Sequence, residues 1–230
     1  MSVICSICAR AGSKGLKNKN IKILKGKPLI AHTITQAVKS KIFDEVVVST
    51  DSKQIQKIAK KYGANCWFLR SKKLSGDNSP KIPVIKDLLL RSESYFKKNF
   101  QHIVDLDPTS PLRSVLDIKK AYQIFKKKKA NLLITGCEAS KNPYFNMYEL
   151  NKFKKAKIVK QIKSKNFISR QTSPKVYEMN ASIYIWNRQS LLKSKQLFLK
   201  NTITYTMPKE RSIDIDSKLD WDIVNILFKK

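Results

Sequence analysis

An apolar run, VICSIC at Val3–Cys8, leads into the loop ARAGSKGLKNKN at residues 9–20, and this junction decides the fold. The run predicts a buried first strand whose carboxyl end carries the loop, which is where open α/β sheets bind ligands. Gly12 and Gly15 allow backbone N–H groups to approach an anion. Cationic donors that suit a polyphosphate accompany them: Arg10, Lys14, Lys17 and Lys19. We interpret the loop as phosphate-binding, although it lacks the Walker A and GxGxxG spacings. The alternative is a flexible basic loop.

Strand and helix patterns alternate along most of the chain. The predicted strands after the first are residues 45–49, 65–69, 103–106, 132–135, 181–186 and 202–207. The predicted helices are residues 27–38, 55–62, 82–96, 116–127 and 219–228. This alternation predicts an α/β fold with a mostly parallel twisted sheet and helices on both faces, in three layers. We expect the 230 residues, 1–230, to form a single domain.

The pattern changes between residues 141 and 170. Short aromatic or β-branched pieces occur at 144–148 and 158–162, and we interpret them as a small antiparallel excursion from the sheet. Little of the chain is available to cover their apolar faces, so this excursion, residues 140–175, is a candidate subunit interface.

Acidic residues near the end of the chain predict a metal site. In SIDID at residues 212–216, alternation places Asp214 and Asp216 on one face and the isoleucines on the other. Neighbouring carboxylates repel unless a cation lies between them, and beside a phosphate site such oxygen ligands suit Mg²⁺. The alternative is that Asp216 or Ser217 caps the last helix while Asp214 is solvated.

A second polar turn, DPTSPLR, occupies residues 107–113 after a predicted strand. Asp107 faces the loop and is a better ligand candidate than Asp105. Thr109 and Ser110 lie in a rigid, hydroxyl-rich turn that suits a polar ligand, although a simple helix-entry turn would have the same sequence.

The net charge of +30 favours an acidic partner when taken alone. Lysine is scattered through every predicted helix and loop, however, and no nucleic-acid-binding signature accompanies it. We therefore expect lysine-rich solvated faces, and nucleic acid is not expected as the main partner.

Cysteine and apolar patterns indicate the compartment. Cys5 and Cys8 form a CxxC inside a predicted strand, where they point to opposite faces, and no second pair of ligand spacing accompanies them, so free thiols are expected. No apolar run approaches 18 residues and no signal peptide is evident, so neither a membrane span nor secretion is expected. The expected location is the cytoplasm.

Four motifs stand in register along the chain: ARxxSKGLxxKN at residues 9–20, VSTD at 48–51, PTSPLR at 108–113 and SIDID at 212–216. In this order they resemble the acylneuraminate cytidylyltransferases, the CMP-sialic acid synthetases, and among these the bacterial CMP-legionaminic acid synthetases. The resemblance runs from about residue 3 to the end of the chain.

The resemblance implies a fold, a reaction and a set of site residues. The fold is that of the nucleotide-diphospho-sugar transferases, Rossmann-like, in a homodimer joined through residues 140–175. The reaction converts CTP and a nine-carbon α-keto sugar acid into the CMP-sugar and pyrophosphate, with Mg²⁺ held by Asp214 and Asp216. The nucleotide-binding residues implied are Arg10, Ser13, Lys14, Gly15, Lys19, Asn20, Arg70 (for cytosine) and Lys81. The sugar-binding residues implied are Asp107, Thr109, Ser110, Gln171 and Arg170 (for the carboxylate). The catalytic residues implied are Arg10, Lys14, Lys19, Asp214 and Asp216.

The sequence also departs from the sialic acid pattern. A glutamine commonly precedes PTSP in those enzymes, and here the residue is Asp107; Lys81 stands where a serine is usual, and residues 76–78 read GDN in place of Ser-Asp-Thr. An acid prefers a hydrogen-bond donor or a metal, which indicates sugar substituents other than those of N-acetylneuraminate and favours legionaminic acid, with N-acylneuraminic acid as the other candidate. The alternatives are a cytidylyltransferase for KDO or pseudaminic acid and, from a different class, a basic nucleic-acid-binding protein.

Overall fold

The computed structural model describes residues 1–12, 15–77, 79–162 and 167–228. Its strands are β1 (Val3–Cys8), β2 (Ile23–Leu24), β3 (Lys27–Pro28), β4 (Glu45–Ser49), β5 (His102–Leu106), β6 (Leu132–Glu138), β7 (Tyr148–Leu150), β8 (Ala156–Ile158), β9 (Tyr177–Asn187) and β10 (Thr202–Thr206). Its α-helices are α1 (Leu29–Ser40), α2 (Lys53–Lys61), α3 (Lys81–Phe96), α4 (Val115–Lys128), α5 (Arg188–Lys193) and α6 (Lys218–Leu227). Short 3₁₀ turns span Lys19–Ile21, Lys72–Leu74 and Lys209–Arg211.

In the described part of the chain, the main sheet has six strands in the order β10-β6-β9-β5-β1-β4. β1 lies between β4 and β5 and runs parallel to both, and β10 runs parallel to β6. β9 pairs with β5 in the antiparallel sense. The prediction of a mostly parallel sheet is confirmed, with β9 as an antiparallel addition. The carboxyl end of β1 opens into the loop at residues 9–20.

Alternate side chains of β1 enter two apolar cores on opposite faces of the sheet. Cys5 and Ile7 pack in one core with residues of α1, α2 and α4. Ile4 packs in the other core with residues of α3. These two cores create the predicted three-layer arrangement. They also hold β1 rigidly beneath the loop that follows it.

The predicted strand at residues 65–69 is wrong. Asn65 forms only an isolated bridge with Val47, and the chain then leaves the sheet. Trp67 stacks on Tyr95 of α3 with ring centroids 4.2 Å apart, so the apolar character of this segment reflects aromatic packing against a helix. The sequence also gave no indication of α5, a helix of six residues that the Asn187 side chain caps.

The chain folds as two compact units: Met1–Gly136 with Asn180–Lys230, and Cys137–Met179. The second unit contains the hairpin of β7 and β8, which pair antiparallel with Tyr148 opposite Ile158. The predicted antiparallel excursion is therefore confirmed, but its strands lie closer together in sequence than 144–148 and 158–162. The Asn142 side chain accepts a hydrogen bond from Tyr144 N at 2.9 Å, so the first piece begins as a turn.

Among the described residues, no helix combines the length and the apolar character needed to cross a bilayer. The cysteines are free, as predicted. Cys5 and Cys8 contact opposite cores, and burial raises the pKa of both thiols.

Candidate active site

A cavity of about 400 Å³ opens in the first unit at the carboxyl ends of β1 and β5. Most of the predicted nucleotide, sugar and metal residues line it: Arg10, Gly15, Lys19, Asn20, Arg70, Lys81, Asp107, Thr109, Asp214 and Asp216. Ser13 and Lys14 lie outside the described residues. The cavity thus joins four segments that are far apart in the sequence.

The loop after β1 touches the acidic segment directly. Lys19 Nζ donates to Asp216 Oδ1 at 2.8 Å and to the Ile215 carbonyl oxygen at 2.6 Å. A Cβ added to Gly15 would lie 2.0 Å from the Asp216 carbonyl oxygen. No side chain fits at that distance, so glycine at position 15 is what permits the two backbones to meet.

Two hydrogen bonds support the start of this loop, one from Asn20 at its end and one to Asp51 after β4. Asn20 Nδ2 donates to the Arg10 carbonyl oxygen at 3.0 Å, and Ala11 N donates to Asp51 Oδ1 at 2.9 Å. The Arg10 guanidinium lies on the cavity wall and pairs with Asp77 Oδ1 at 2.6 Å. These contacts hold the cationic side of the cavity in place before any ligand arrives.

Arg70 forms a further part of the cationic wall. Its backbone N donates to the Thr50 carbonyl oxygen at 2.8 Å, and its Nε donates to Ser75 Oγ at 3.3 Å. The residue is only 7% exposed. Its guanidinium therefore faces the cavity from a largely buried position.

The acidic segment, residues 212–216, has an irregular backbone rather than strand geometry. The alternation nevertheless has its expected consequence, because Ile215 is buried against Leu29 and Trp221 while Asp214 and Asp216 line the cavity. Ile215 N donates to the Thr109 carbonyl oxygen at 3.0 Å and so ties this segment to the turn after β5. Ser217, rather than Asp216, caps α6.

Asp214 is in an unusual electrostatic position. Burial, and then the negative charge of Asp107, raise the pKa of Asp214 to about 6. Its buried Oδ1 has no hydrogen-bond partner among the described residues. A divalent cation would satisfy this oxygen and would offset the charges of Asp214 and Asp216 together, so the donor set fits Mg²⁺. The described residues contain no cluster of three or more His, Cys, Asp or Glu that could hold a metal.

Asp107 and Thr109 lie in the turn after β5 and form part of the cavity wall. Asp107 Oδ1 accepts hydrogen bonds from Thr109 N at 3.1 Å and Thr109 Oγ1 at 2.7 Å. Asp107 Oδ2 and the buried Asp105 Oδ2 each lie 2.9 Å from Lys81 Nζ. Lys81, predicted as a nucleotide ligand, therefore has two carboxylate partners of its own.

The turn is supported from beneath by Arg113, to which sequence reasoning gave no role. Arg113 is 1% exposed and donates to the carbonyl oxygens of Asp107 at 3.3 Å and Ser182 at 2.7 Å. Burial lowers the pKa of its guanidinium to about 10. Ser110 is buried as well, and its Oγ donates to the Asn180 carbonyl oxygen rather than lining the cavity. An arginine two residues after the PTSP turn was the available sequence signal.

Arg170 and Gln171 lie in the second unit, where they line a cavity of about 420 Å³ together with Glu138, Ser173 and Lys175. Arg170 Nη2 donates to the Ala139 carbonyl oxygen at 2.8 Å and lies 3.4 Å from Glu138 Oε1. Nearly half of its side chain is exposed. Part of the guanidinium thus remains available to an anion.

A mostly parallel sheet with a cation-lined, acid-edged cavity at its carboxyl edge is the arrangement in which open α/β folds bind ligands. Residues 4–227 match the family described as Cytidylyltransferase, and the chain belongs to that family of nucleotidyltransferases.

Three proteins are similar to this chain, two of them along nearly their whole length. The chain is 48% identical over 225 residues to the CMP-N,N'-diacetyllegionaminic acid synthase of Campylobacter jejuni, covering 98% of this chain and 94% of that protein. It is 48% identical to the post-translational flagellin modification protein B of Campylobacter coli, with 99% and 95% covered. It is 32% identical to the N-acylneuraminate cytidylyltransferase of Escherichia coli, of which it covers 52%.

A solved structure supports the fold. CMP:2-keto-3-deoxy-manno-octonic acid synthetase complexed with CTP superposes with a TM-score of 0.71, with 99% of this chain and 98% of that chain covered at 17% identity. At that identity the likeness shows the fold alone, and it agrees with the predicted nucleotide-diphospho-sugar transferase architecture.

Proposed function

We propose that the protein joins CTP and a nine-carbon α-keto sugar acid, with legionaminic acid as the first candidate, to give the CMP-sugar and pyrophosphate. The observation that carries this proposal is that the loop after β1 and the acidic segment border one cavity, linked by Lys19 and Asp216 at 2.8 Å. The relatives named for legionaminic acid and N-acylneuraminate support the choice of substrate class.

Cations on the cavity wall are suited to the triphosphate of CTP. Arg10, Lys19 and Asn20 line the cavity together with Gly15. Charge-assisted hydrogen bonds from such groups stabilise negative charge that grows on departing pyrophosphate. Ser13 and Lys14 complete this set in our proposal, and Arg70 takes the cytosine.

Asp214 and Asp216 are the residues that would hold Mg²⁺. Its chemistry there would be to offset triphosphate charge and to lower the pKa of a hydroxyl bound to it. The unpartnered Oδ1 of Asp214 supports this assignment, and so does the pKa of that carboxyl, which burial and then the charge of Asp107 raise, because a bound cation would offset both effects.

The proposed reaction is an in-line displacement at phosphorus. The anomeric hydroxyl oxygen of the sugar acid forms a bond to the α-phosphorus of CTP, the bond to the β-phosphate oxygen breaks, and pyrophosphate leaves with that electron pair. The hydroxyl proton passes to solvent. Arg10 and Lys19 would bind the leaving pyrophosphate and keep it aligned.

Asp107, Thr109 and Ser110 are our candidates for the sugar side of the site, with Thr109 and Asp107 on the cavity wall and Ser110 behind them. Arg170, with Gln171, is the candidate partner of the sugar carboxylate, and its partly exposed guanidinium supports that role. We also propose a homodimer joined through residues 140–175 and a cytoplasmic location, where CTP is available.

The test is pyrophosphate release from purified protein, Mg²⁺ and CTP with legionaminic, N-acetylneuraminic, pseudaminic and 3-deoxy-octulosonic acids in parallel. We expect release with legionaminic acid to be fastest and ATP, GTP or UTP to be poor replacements for CTP. Absence of pyrophosphate release with every acid would refute the proposal. A preference for KDO or pseudaminic acid would show that this acid, rather than legionaminic acid, is the sugar substrate. A nucleic-acid-binding protein would instead bind oligonucleotides with steep salt dependence and release no pyrophosphate.

A further inference from the structure

Lys81 is the first residue of α3 and reaches across the wall of the cavity to two acids. Its Nζ lies 2.9 Å from Asp105 Oδ2 and 2.9 Å from Asp107 Oδ2, and 4.5 Å from the centroid of the Tyr184 ring. An ammonium group has three donors, and two carboxylates and a ring face occupy the directions it can reach.

The charges around Lys81 leave it little freedom to bind phosphate. Asp105 is completely buried, and Ser6 Oγ donates to its other oxygen. If Lys81 moved to a phosphate, Asp105 would lose the cation that compensates its buried charge, which is strongly unfavourable. Burial alone would lower the pKa of Lys81, but the charges of Asp105 and Asp107 raise it. Burial alone would raise the pKa of Asp107, but Lys81 and the hydrogen bonds from Thr109 lower it. Both groups are therefore charged at neutral pH.

Asp107 has one acceptor position left for a ligand. A carboxylate has about four acceptor positions. Among the described residues, Thr109 donates twice to Oδ1 and Lys81 donates once to Oδ2. The side chain remains 22% exposed and lines the cavity, so the remaining lone pair on Oδ2 is available to a ligand. An N–H or O–H group of the ligand would donate a hydrogen bond to this lone pair, whereas an acceptor atom would be repelled by the negative charge of Asp107.

We propose that Lys81 is a positioning residue that fixes the Asp107 carboxylate as an acceptor for one N–H or O–H group of the sugar acid, and that the pair selects sugars carrying a donor there. This inference rests on the proposed function. It gives Lys81 a role on the sugar side of the site in place of the nucleotide contact that the resemblance implies.

The experiment compares wild type with Asp107→Asn, Lys81→Met and the double variant, using the best sugar acid and analogues of it in which single hydroxyl or amide donors are methylated. We expect Asp107→Asn to lower kcat/KM for the sugar about 10- to 100-fold, the usual effect of losing a hydrogen bond to a charged group, with the KM for CTP changed less than about threefold. For wild type, kcat/KM should be lower by a similar factor with one methylated analogue than with the parent sugar acid. For Asp107→Asn, kcat/KM should be the same with that analogue and with the parent. Lys81→Met should act in the same direction.

The matched control is Lys57→Met, the same substitution at an exposed position of α2 away from the cavity, which should leave all constants unchanged. If Lys81→Met fails to fold, Asp107→Asn still tests the proposal, because it leaves the Lys81–Asp105 pair intact. A Lys81→Met variant whose main defect is the KM for CTP would overturn the inference, and so would equal sensitivity of wild type and Asp107→Asn to every analogue. Wild-type turnover must be seen first, since its absence would refute the proposed function instead.

Discussion

Gly15 is the residue at which a single methyl group should disturb the site most. Its Cβ would lie 2.0 Å from the Asp216 carbonyl oxygen, so Gly15→Ala must push the loop after β1 away from the acidic segment. A displacement of about 1 Å at a reacting centre typically costs on the order of 100-fold in rate. We expect that loss in kcat/KM for CTP, measured by pyrophosphate release, with an unchanged circular dichroism spectrum.

Gly12 provides the control for this prediction, because it lies in the same loop and nothing among the described residues comes within 4 Å of its added Cβ. Gly12→Ala should therefore remain much closer to wild type. Equal losses in the two variants would show that loop flexibility, rather than contact with Asp216, is what glycine provides.

Asp216 offers a second test at this scale. Asp216→Asn removes a charge that Lys19 and the proposed metal share, and loss of one such electrostatic contact typically lowers the rate about 10²–10³-fold. Arg10→Ala should have a comparable effect. Asp222→Asn is the matched control, since Asp222 lies on α6 and pairs with Lys218. Turnover at the wild-type rate in Asp216→Asn would show that the Asp216 carboxylate has no role in the reaction.

Some of these residues were predictable from sequence and others were not. Alternation in SIDID identified Asp214 and Asp216, because a buried Ile215 forces its neighbours outward even without a strand. The triad of Lys81, Asp105 and Asp107 was not predictable, because nothing local indicates that the start of α3 meets the end of β5. Periodicity reports which face a residue occupies, and it carries no information on which distant charge it will meet.

At the scale of elements, one ion pair anchors the acidic segment to α4. Arg211, just before residues 212–216, donates to Asp117 Oδ2 at 2.9 Å and to Oδ1 at 3.0 Å. Asp117 is buried and also accepts from Tyr205 and from the N-cap Ser114. Arg211→Met should lower the unfolding free energy by about 1–3 kcal/mol and raise the Mg²⁺ concentration needed for half-maximal rate, because Asp214 and Asp216 lose their support.

Chemical denaturation and metal titration of the activity measure the two effects. Arg91→Met is the control, because Arg91 pairs with Asp87 one turn away on the exposed side of α3, and such pairs contribute at most about 1 kcal/mol. An Arg211→Met variant that loses stability but keeps its metal requirement would limit the pair to a structural role.

The same pair predicts how stability depends on pH. Burial alone would raise the pKa of Asp117, but hydrogen bonds from Arg211 and Ser114 lower it below its ordinary value of 3.8. A carboxyl whose pKa is lower in the folded state contributes stability that is complete above its unfolded pKa and is lost as pH falls toward the folded pKa. The unfolding free energy should therefore fall more steeply below about pH 4 in wild type than in Asp117→Asn. Parallel curves for the two proteins would contradict this.

The predicted ends of helices and strands agree with the structure where the pattern of apolar residues in the sequence matches the pattern of buried residues in the fold. β1 and α3 match their predicted ranges within one residue, because β1 is packed in a core on both faces and α3 on one face. Residues 65–69 do not, because Trp67 packs against Phe68 and Phe96, and such an aromatic cluster has the same apolar sequence pattern as a strand. Apolar content alone did not distinguish a strand from an aromatic cluster.

At the scale of the whole molecule, the net charge of +30 needs no nucleic-acid partner. Lysines cluster on the last turns of α2 and α4, where cations interact favourably with the helix dipole. The cavity itself balances Arg10, Lys19 and Lys81 with acids at distances below 3 Å. Excess charge is thus a property of solvated faces, while the described charged residues of the site are largely paired with residues of opposite charge.

The second unit carries the remaining prediction at this scale. Its hairpin exposes apolar side chains that the unit itself does not cover: Tyr148 is 64%, Leu150 60% and Phe153 70% exposed. Exposed apolar groups clustered on one small unit favour association with a second copy. We expect a dimer by analytical ultracentrifugation at micromolar concentration and a monomer for the double variant Leu150→Lys, Phe153→Lys. Leu116→Lys is the control, since Leu116 is 56% exposed on α4 and should leave the dimer intact. A monomeric wild type, or a double variant that still dimerises, would assign the hairpin another role.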